Sequence, residues 1–451
     1  MRTVPPATST DLYQLTMAAG HWQAGRRATA TFELFTRRMP KDRSYLVSGG
    51  LEAVIEYLTS FHFTEAEVAY LRGVPSFSAV GDGFFDYLLK LRFSGDMWAL
   101  PEGTPVFPDE PFLSISAPLI EAQLVETALL ALVNYPTSVA TKAARIVEAA
   151  KGRSIVEFGA RRAHGTEAAL IAARAAYIGG CLGTSNVEAG MRFGIPVFGT
   201  VAHAWIMAYD DEIEAFRAYQ RTFPHNAVLL IDTYDTLRAA RRVTEAFAPG
   251  EIAGVRLDSG DLGELARGVR RILDDAGFTA TRILASGDLN EWSIAELVAS
   301  GAPIDSFGVG TDLTTVRDAP ALGVVYKLVE LEEDGVVGFK MKFSDGKATW
   351  PGRKQLWRSF AEDGTASGDL VTLHDEPPPS DTSVPVLEPV LRGGERIVPP
   401  GSIEELRART RDAVDRLPAN LKTLAAPETP YPVRFSAAIQ RIAAELRAEM
   451  V

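Results

Sequence analysis

Short turns of glycine, serine, threonine and aspartate are the residues with the clearest chemical potential in this chain. Four of them follow short apolar runs: GTSN at 183–186, DSG at 258–260, SGD at 286–288 and GVGTD at 308–312. Backbone N–H groups exposed in such turns, next to helix N-termini, can hold phosphate oxygens. One turn of this kind is weak evidence, because turn geometry alone selects the same residues. Four of them predict that at least two bind phosphate.

Aspartates follow the same apolar runs. They are Asp232, Asp235, Asp258 and Asp288. Carboxylates gathered at one end of parallel strands can hold ribose hydroxyls, or Mg²⁺ that also binds phosphates. Any one of them could instead cap a helix N-terminus, where aspartate is favoured. For the group as a whole, the ligand-binding interpretation is preferred.

Arginines at strand ends are a further candidate feature. Arg161 and Arg162 stand in the segment EFGARRAHG, and their guanidinium groups suit carboxylate and phosphate geometry. Arg256 interrupts the apolar run AGVRL. Its alternative role is a buried ion pair with Asp258 or Glu157.

Residues 339–358 form a locally basic segment in an acidic chain. Only Asp345 opposes six basic residues, which are Lys340, Lys342, Lys347, Arg353, Lys354 and Arg358. Such a cluster predicts local attraction for an anion. The alternative is a solvated strand face.

Three further side chains are ambiguous from the pattern alone. His203 stands among small residues in FGTVAHAW, and a lone histidine there is more often a packed or capping residue than a catalytic one. Phe158 ends an apolar run and could stack on a flat ring, whereas core packing is the preferred interpretation for Tyr13. The chain has one cysteine, Cys181, and no closely spaced histidine pair, so a zinc site is disfavoured.

The charge balance excludes several classes of function. Lys and Arg number 46 and Asp and Glu 58, which gives a formal net charge of −12 over 451 residues. This balance lacks the basic footprint of nonspecific nucleic-acid binding. The start carries no apolar run of signal-peptide length, and the most apolar segment, 119–135, is too short and polar to span a bilayer. We therefore expect a cytoplasmic protein with no nucleic-acid or membrane partner.

The order of elements predicts an α/β fold. From about residue 135, seven short apolar runs each end in a polar turn, and most are followed by a helical pattern. One of these runs is YIGGCL, which would place Cys181 within a strand. Parallel strands with crossover helices produce this recurrence. A closed or nearly closed α/β barrel fits best, with an open doubly wound sheet as the alternative.

The remaining segments predict a discontinuous flanking domain. We assign the barrel to residues 131–330 and expect 1–130 and 331–400 to form an α+β domain beside it. Residues 401–451 read as amphipathic helices.

Local patterns in the flanking segments predict individual elements. The segment DLYQLTMAAGHWQAG reads as a helix capped by Ser9 or Thr10 and ended by Gly25. Hairpin turns are expected at residues 334–335 and 345–346, both Asp-Gly.

Ten segments together resemble the nicotinate phosphoribosyltransferase family, of the type II phosphoribosyltransferase class. In chain order they are TDLYQLTMA, EFGARRAHG, GTSNVEAG, FGTVAHAW, IDTYDT, GVRLDSGDL, ILASGDLNE, SFGVGTDL, VYKL and PGRKQLW. Each segment alone is unspecific, but the ordered set from about residue 10 to 358 is highly specific. The resemblance implies an irregular α/β barrel with a flanking β-rich domain.

The resemblance also implies roles for individual residues. Nicotinate would lie between Phe158 and Tyr13 of a neighbouring subunit, which implies a homodimer with shared sites. His203 would be the residue that ATP phosphorylates, and Asp258 and Arg256 would act beside it in catalysis. Substrate-binding roles follow for Arg161, Thr184, Ser185, Asp232, Ser286, Gly287, Asp288, Gly310, Thr311 and Lys327.

The implied reaction joins nicotinate to 5-phosphoribosyl 1-diphosphate and releases pyrophosphate, in NAD salvage. Hydrolysis of ATP would be coupled to it, and Mg²⁺ would bind through the phosphates, with Asp258 as a candidate ligand. Ser185 favours the acid, because the relative that uses nicotinamide has an aspartate there, which would repel a carboxylate. The alternatives are a nicotinamide or quinolinate phosphoribosyltransferase, or a non-catalytic barrel that binds phosphorylated metabolites.

Overall fold

The chain forms two compact units in a computed structural model that describes residues 4–343 and 348–450. Unit 1 comprises residues 1–138 and 321–451, and unit 2 comprises residues 139–320. The expected turn at 345–346 and the basic Lys347 lie outside the described residues.

The first part of the chain mixes helices and strands, as predicted. Its helices are α1 (Leu12–Gln23), α2 (Leu51–Ser60), α3 (Glu65–Arg72), α4 (Asp82–Lys90), α5 (Leu119–Leu124) and α6 (Glu126–Ala149). Its strands are β1 (Thr29–Thr36), β2 (Leu46–Val47), β3 (Asp96–Ala99), β4 (Pro105–Val106) and β5 (Pro111–Pro118).

One of the two predicted ends of α1 agrees with the structure and the other does not. Gly25 follows the helix with φ +65, as expected of a left-handed residue after a helix. The N-cap is Asp11 rather than Ser9 or Thr10, because the Thr10 hydroxyl donates instead to the carbonyl of Leu124. That predicted cap is therefore wrong.

Unit 2 alternates strands and helices. Its strands are β6 (Ser154–Glu157), β7 (Gly183–Thr184), β8 (Val228–Leu230), β9 (Gly254–Leu257), β10 (Arg282–Ser286) and β11 (Ser306–Val309). Its helices are α7 (Thr166–Ile178), α8 (Val187–Phe193), α9 (His203–Met207), α10 (Glu212–Thr222), α11 (Thr236–Ala246), α12 (Leu262–Asp275), α13 (Glu291–Ala299) and α14 (Thr311–Thr315).

The last part of the chain returns to unit 1. Its strands are β12 (Val324–Glu333), β13 (Val336–Phe339), β14 (Lys354–Phe360), β15 (Ala366–Leu373), β16 (Val384–Pro385), β17 (Glu388–Arg392), β18 (Glu395–Arg396) and β19 (Val433–Phe435). Its helices are α15 (Ile403–Asp415) and α16 (Ala437–Met450). The predicted hairpin turn joins β12 to β13, where Asp334 and Gly335 both have positive φ.

Strands from both ends of the chain pair within unit 1. Its largest sheet has the order β13-β12-β1-β5-β3-β17-β18, and β1 pairs antiparallel with both β12 and β5. A second sheet has the order β16-β14-β15-β19. Residues more than 300 positions apart in sequence are therefore neighbours here, such as Thr29 and Glu332.

The sheet of unit 2 positions the candidate site. Its six strands are parallel, in the order β7-β6-β11-β10-β9-β8, and an isolated parallel bridge joins Thr184 to Val197. Alternate residues such as Val255, Ile283 and Phe307 are fully buried, as the apolar strand pattern requires. The predicted α/β class is confirmed, while closure of this sheet into a barrel stays a prediction.

One predicted strand is wrong. The run YIGGCL does not form a strand, because α7 continues through the alanine-rich segment to Ile178 and ends at Gly179. Cys181 is buried in the connection that follows. The two-residue strand β7 comprises Gly183 and Thr184, and the backbone N–H of the preceding Leu182 donates to the Ile155 carbonyl at 2.7 Å.

Candidate active site

Side chains from β9 and the loops after β9 and β10 form the centre of the candidate site. Arg256 donates from Nε to Ser286 Oγ at 3.0 Å and from Nη2 to Asp258 Oδ1 at 3.2 Å. The Ser286 hydroxyl donates to the same Asp258 oxygen. The predicted alternative of an Arg256–Asp258 ion pair is therefore present, but its side chains keep 12% and 22% of their surface exposed. The pair can still meet a ligand.

Arg256 also holds the segment that leads to His203. Its Nη1 donates to Thr200 Oγ1 at 2.5 Å and to the carbonyl of Val201 at 3.2 Å. Sequence reasoning missed Thr200, since nothing local marks a threonine 56 positions away as the partner of this arginine.

A buried carboxylate supports the predicted catalytic histidine. His203 is the first residue of α9, and its Nε2 lies 3.2 Å from Asp232 Oδ1. The other Asp232 oxygen accepts from the Asp258 backbone N–H at 2.9 Å and from the Ser259 hydroxyl at 2.6 Å. The Asp232 side chain is 1% exposed and that of His203 is 40% exposed. A carboxylate at Nε2 leaves Nδ1 as the ring nitrogen available to a ligand.

Asp258 is held in its ionised form. Burial alone would raise the pKa of this carboxyl, but the Ser286 hydrogen bond and the charges of Arg256 and His203 outweigh it. The result is an Asp258 pKa below the usual value. The site therefore presents a negative charge directly beside the arginine.

Phe158 presents an aromatic face beside this cluster. Its ring lies on Gly308, where a Cβ atom would overlap the ring. The Arg256 guanidinium carbon is 6.0 Å from the ring centroid. A cavity of about 970 Å³ within unit 2 is lined by Phe158, Gly199 and Thr200 and mainly by residues near the amino ends of the strands, such as Ser154, Gly254 and Ser306. The Phe158 ring borders this cavity, and an aromatic face of this kind can stack on a flat ligand.

Glu157 connects three loops around Phe158, and sequence reasoning assigned it no such role. This buried carboxyl accepts from the Gly159 backbone N–H, from Thr184 Oγ1 at 2.5 Å and from Thr314 Oγ1 at 3.3 Å. Burial raises its pKa despite these hydrogen bonds. The available signal was a glutamate at the end of the apolar run SIVE.

The two residues predicted from GTSN differ in accessibility. Thr184 is fully buried, and its hydroxyl also accepts from the Asn186 backbone N–H at 2.9 Å. Ser185 is half-buried and is fixed by its backbone N–H, which donates to the Glu157 carbonyl at 2.9 Å. Ser185 is therefore the better placed of the two to meet a ligand.

Arg161 and Arg162 form an exposed cationic pair. They stand in a single 3₁₀ turn, Ala160–Arg162, directly after Phe158 and Gly159. Neither guanidinium has an ion-pair partner within the described parts of the chain. Both are therefore available to an anion.

The turns after β10 and β11 adopt the tight conformations that their glycines allow. Gly287 has φ +96, and a Cβ there would overlap the carbonyl of Asp258. Asp288 is exposed with φ +45. Gly310 is the N-cap of α14, and Thr311 is its first residue; both are half-buried. The predicted phosphate-binding turns therefore lie on adjacent strands, at their carboxyl ends.

Asp235 fits the capping alternative. Its side chain accepts from the Arg238 backbone N–H at 2.7 Å and caps α11. It does not join the Asp232–Asp258 cluster through any hydrogen bond among the described residues.

Two predicted residues lie in unit 1, around Glu126. Lys327 donates to the Tyr326 carbonyl at 2.9 Å, and its Nζ is 3.8 Å from Glu126. Tyr13 is half exposed on α1, and its pKa is raised by burial and by the charge of Glu126. Tyr13 and Lys327 therefore both lie close to the Glu126 carboxylate.

Two members of the basic segment 339–358 are not available to an anion. Lys354 is buried and lies 2.6 Å from Glu33, and Arg358 is buried and lies 2.7 Å from Asp369. For these two residues, both the predicted anion attraction and the solvated strand face are wrong. Their charges are neutralised inside unit 1.

Neither a metal-binding cluster nor a membrane-spanning helix is present among the described residues. No group of three or more histidine, cysteine, aspartate or glutamate side chains is arranged to hold a metal ion. No helix in residues 4–343 or 348–450 has the length and apolar character needed to cross a membrane.

Comparisons with known proteins agree with this arrangement. Residues 8–134 match the nicotinate phosphoribosyltransferase (NAPRTase) N-terminal domain, and residues 153–337 match the NAPRTase family. Nicotinate phosphoribosyltransferase pncB2 of Mycobacterium tuberculosis is 45% identical over 448 residues, which cover 98% of this chain and 93% of the relative. The Bacillus subtilis nicotinate phosphoribosyltransferase is 47% identical over 376 residues, covering 81% and 76% respectively.

A solved structure has the same fold over nearly the whole chain. The crystal structure of human nicotinic acid phosphoribosyltransferase superposes with a TM-score of 0.85 at 31% identity, and the match covers 97% of this chain and 99% of that one. Sequence and fold thus agree along both units, and the chain belongs to the nicotinate phosphoribosyltransferase family of enzymes.

Proposed function

We propose that this protein transfers the phosphoribosyl group of 5-phosphoribosyl 1-diphosphate to nicotinate. The pyridine nitrogen forms a bond to ribose C1, the bond from C1 to the diphosphate oxygen breaks, and nicotinate mononucleotide and pyrophosphate result. The observation that carries the proposal is the half-open Arg256–Asp258–Ser286 cluster beside the Phe158 ring, in a chain of this family. The product leads to NAD, so we assign the reaction to NAD salvage in the cytoplasm.

This chemistry needs positioning and charge more than proton transfer. The pyridine nitrogen already carries a lone pair, so no general base is required. Cleavage at C1 develops positive charge on the ribose, and the ionised Asp258 is suited to contact the ribose and stabilise it. Arg256 and the turns at Ser286–Asp288 and Gly310–Thr311 would hold the phosphate oxygens.

The aromatic pocket accounts for the choice of base. Nicotinate would stack on Phe158, with its carboxylate directed toward Ser185 and Arg161. A neutral hydroxyl at Ser185 accepts an acid, whereas an aspartate there would repel it.

We further propose a homodimer in which Tyr13 of one copy covers the other face of the base. Three side chains of α1 leave apolar surface exposed: Leu12, Tyr13 and Met17. Unit 2 exposes its own apolar side chains, including Val187 and Met191 on α8. Exposed apolar side chains of this kind are typical of association surfaces and support the proposal. In such a dimer, Lys327 beside Tyr13 would reach the neighbouring site.

Mg²⁺ fits this site only as a partner of the substrate. Magnesium binds phosphates through one or two carboxylates plus water, and the ionised, half-exposed Asp258 is the candidate carboxylate. When bound, the ion would neutralise charge on the departing pyrophosphate.

ATP would be coupled to the reaction through His203. Because Asp232 engages Nε2, Nδ1 would accept the γ-phosphoryl group as ADP leaves, and water would later hydrolyse the phosphohistidine. The added negative charge beside Asp258 would change the affinity for phosphorylated ligands between steps.

The first experiment is a direct assay. The protein is mixed with 5-phosphoribosyl 1-diphosphate, Mg²⁺ and ATP, and nicotinate, nicotinamide or quinolinate is added in parallel. We expect pyrophosphate and mononucleotide with nicotinate, and at least about tenfold lower kcat/KM with the other pyridines. Equal use of nicotinamide would contradict the substrate assignment. Thermal stabilisation by the ligands without pyrophosphate release would indicate a non-catalytic binding protein.

Two variants test the assignments of Ser185 and His203. Ser185→Asp should raise the KM for nicotinate by about tenfold or more, because like charges are brought together. His203→Ala should lose the stimulation by ATP and keep ATP-independent turnover. The control is His62→Ala, which changes an exposed histidine outside unit 2. ATP stimulation that survives in His203→Ala would refute the phosphohistidine.

A further inference from the structure

The backbone is strained in the phosphate-binding turn after β10 and at the end of α14, the helix that begins at the second assigned turn. Asp288 after β10 has φ +45, and Val316 after α14 has φ +44. A β-branched residue such as valine rarely adopts this conformation. Strain of this kind persists only where the surrounding structure determines the conformation of the segment. Something in unit 2 must therefore hold both segments in place.

A buried ion network supplies that restraint. Lys142 of α6 is buried, and its Nζ lies 2.6 Å from Glu291 Oε2 and 2.9 Å from Asp318 Oδ1. Arg145, one turn further along α6, donates from Nε to Glu291 Oε1 at 3.2 Å. Glu291 begins α13 directly after the SGD turn, and Asp318 follows α14. One lysine therefore contacts the start of α13, which follows the Ser286–Asp288 turn, and the segment after α14, whose first turn contains Gly310 and Thr311.

A second contact joins the two segments to each other. Asn290, the N-cap of α13, donates from Nδ2 to Asp312 Oδ2 at 3.0 Å. The same side chain accepts from the backbone N–H groups of Trp292 and Ser293. The turn after β10 and the start of α14 thus form one hydrogen-bonded assembly, attached to α6 through Lys142.

Neither α6 residue is placed to touch a substrate in the mechanism above. Lys142 and Glu291 are sealed from solvent, yet breaking a buried pair of this kind leaves an uncompensated charge and is costly. A network with no contact to ligand can still determine how well donor groups are aligned, and misalignment by about 1 Å can cost about 100-fold in rate.

We propose that Lys142 and Arg145 are positioning residues for the phosphate end of 5-phosphoribosyl 1-diphosphate. They act through Glu291 and Asp318 and set the spacing between the Ser286–Asp288 and Gly310–Thr311 turns. This inference rests on the proposed function. It adds that affinity for the phosphorylated sugar, and not for the pyridine, depends on α6.

The test separates the two substrates in steady-state kinetics. Lys142→Met should raise the KM for 5-phosphoribosyl 1-diphosphate by about tenfold or more, the size expected when charged hydrogen bonds are weakened. The KM for nicotinate should stay within about threefold. Calorimetric titration with 5-phosphoribosyl 1-diphosphate alone should show the same loss without relying on turnover.

The control variant changes Arg270, which binds the segment before β10, whereas the Ser286–Asp288 turn lies at the other end of β10. Arg270 donates to the carbonyls of Phe278 and Thr281, just before β10. Arg270→Met should lower the Tm and leave both KM values unchanged. If Lys142→Met does not fold, Asp318→Asn removes one arm of the network at a half-exposed residue and should shift the same KM in the same direction.

The outcomes distinguish this inference from the proposed function. If the wild-type protein makes no mononucleotide, the proposed function fails. If the wild type is active and the Lys142 and Asp318 variants keep the wild-type KM for 5-phosphoribosyl 1-diphosphate, the positioning role is wrong. Equal increases in both KM values would also overturn it, because they would indicate a general loss of structure.

Discussion

Ion pairs of similar composition are sealed in unit 1 and partly open at the candidate site of unit 2. In unit 1, Lys354–Glu33 and Arg358–Asp369 are sealed, and each buried charge is neutralised by its partner. In unit 2, Arg256–Asp258 stays partly open beside the Phe158 ring. The residue types are alike, so accessibility alone separates a pair that holds the fold from one that can bind a ligand.

The largest expected effect comes from opening a sealed pair. Arg358→Met leaves Asp369 buried without its guanidinium, and Tyr431 and Pro105 also lose contacts. The free energy of unfolding should fall by about 3–5 kcal/mol. Chemical denaturation measures this loss, and kcat/KM should be unchanged in the molecules that remain folded. A stable but inactive Arg358→Met variant would break the comparison.

The second-largest effect is expected at Arg256, where catalysis should be lost and stability largely kept. Arg256→Met should lower kcat/KM by about 100- to 1,000-fold, because it removes a charge proposed to meet the substrate in the transition state. The loss of stability should be only about 1 kcal/mol, since water can reach Asp258. Steady-state assays and thermal unfolding of one preparation give both values. A collapse in Tm with normal catalysis would show that the open pair is structural.

The smallest effect concerns Glu157, a buried carboxyl at the edge of the open site. Burial raises its pKa in the folded state, so its contribution to stability is present below the unfolded pKa and is lost as pH rises through the folded one. Glu157→Gln has no such titration and keeps acceptors for part of the network. Its stability relative to wild type should therefore rise between about pH 5 and about pH 8, by on the order of 1 kcal/mol.

Thermal unfolding at the two pH values measures this difference. Glu296→Gln is the control, because it makes the same change at an exposed position on α13 and should show no trend with pH. A Glu157→Gln variant that loses stability relative to wild type as pH rises would contradict the assigned direction.

The sequence predicted what depends on neighbouring residues and missed what depends on distant ones. The turns after β9, β10 and β11 were identifiable because glycine and aspartate follow apolar runs directly. The burial of Lys354 in an ion pair could not be predicted, because its partner Glu33 is 321 positions away. Whether a charged side chain is sealed depends on which strands pair, and β14 contains nothing that specifies this locally.

Dependence on residues distant in sequence also explains which contacts of the candidate site could not be predicted. His203 and Asp232 were both named, but their direct contact follows from the adjacent placement of α9 and the loop after β8. YIGGCL was assigned to a strand because its apolar character is common to helix ends and strands, and the alanine-rich segment before it decided for α7.

Gly308 restricts how this enzyme could be redesigned. A side chain there would collide with the Phe158 ring and would also crowd the β-carbon of Ser286. One methyl group at this position would therefore disturb both the proposed stacking surface and a turn proposed to bind phosphate. Variants intended to accept other heterocycles should therefore leave Gly308 unchanged.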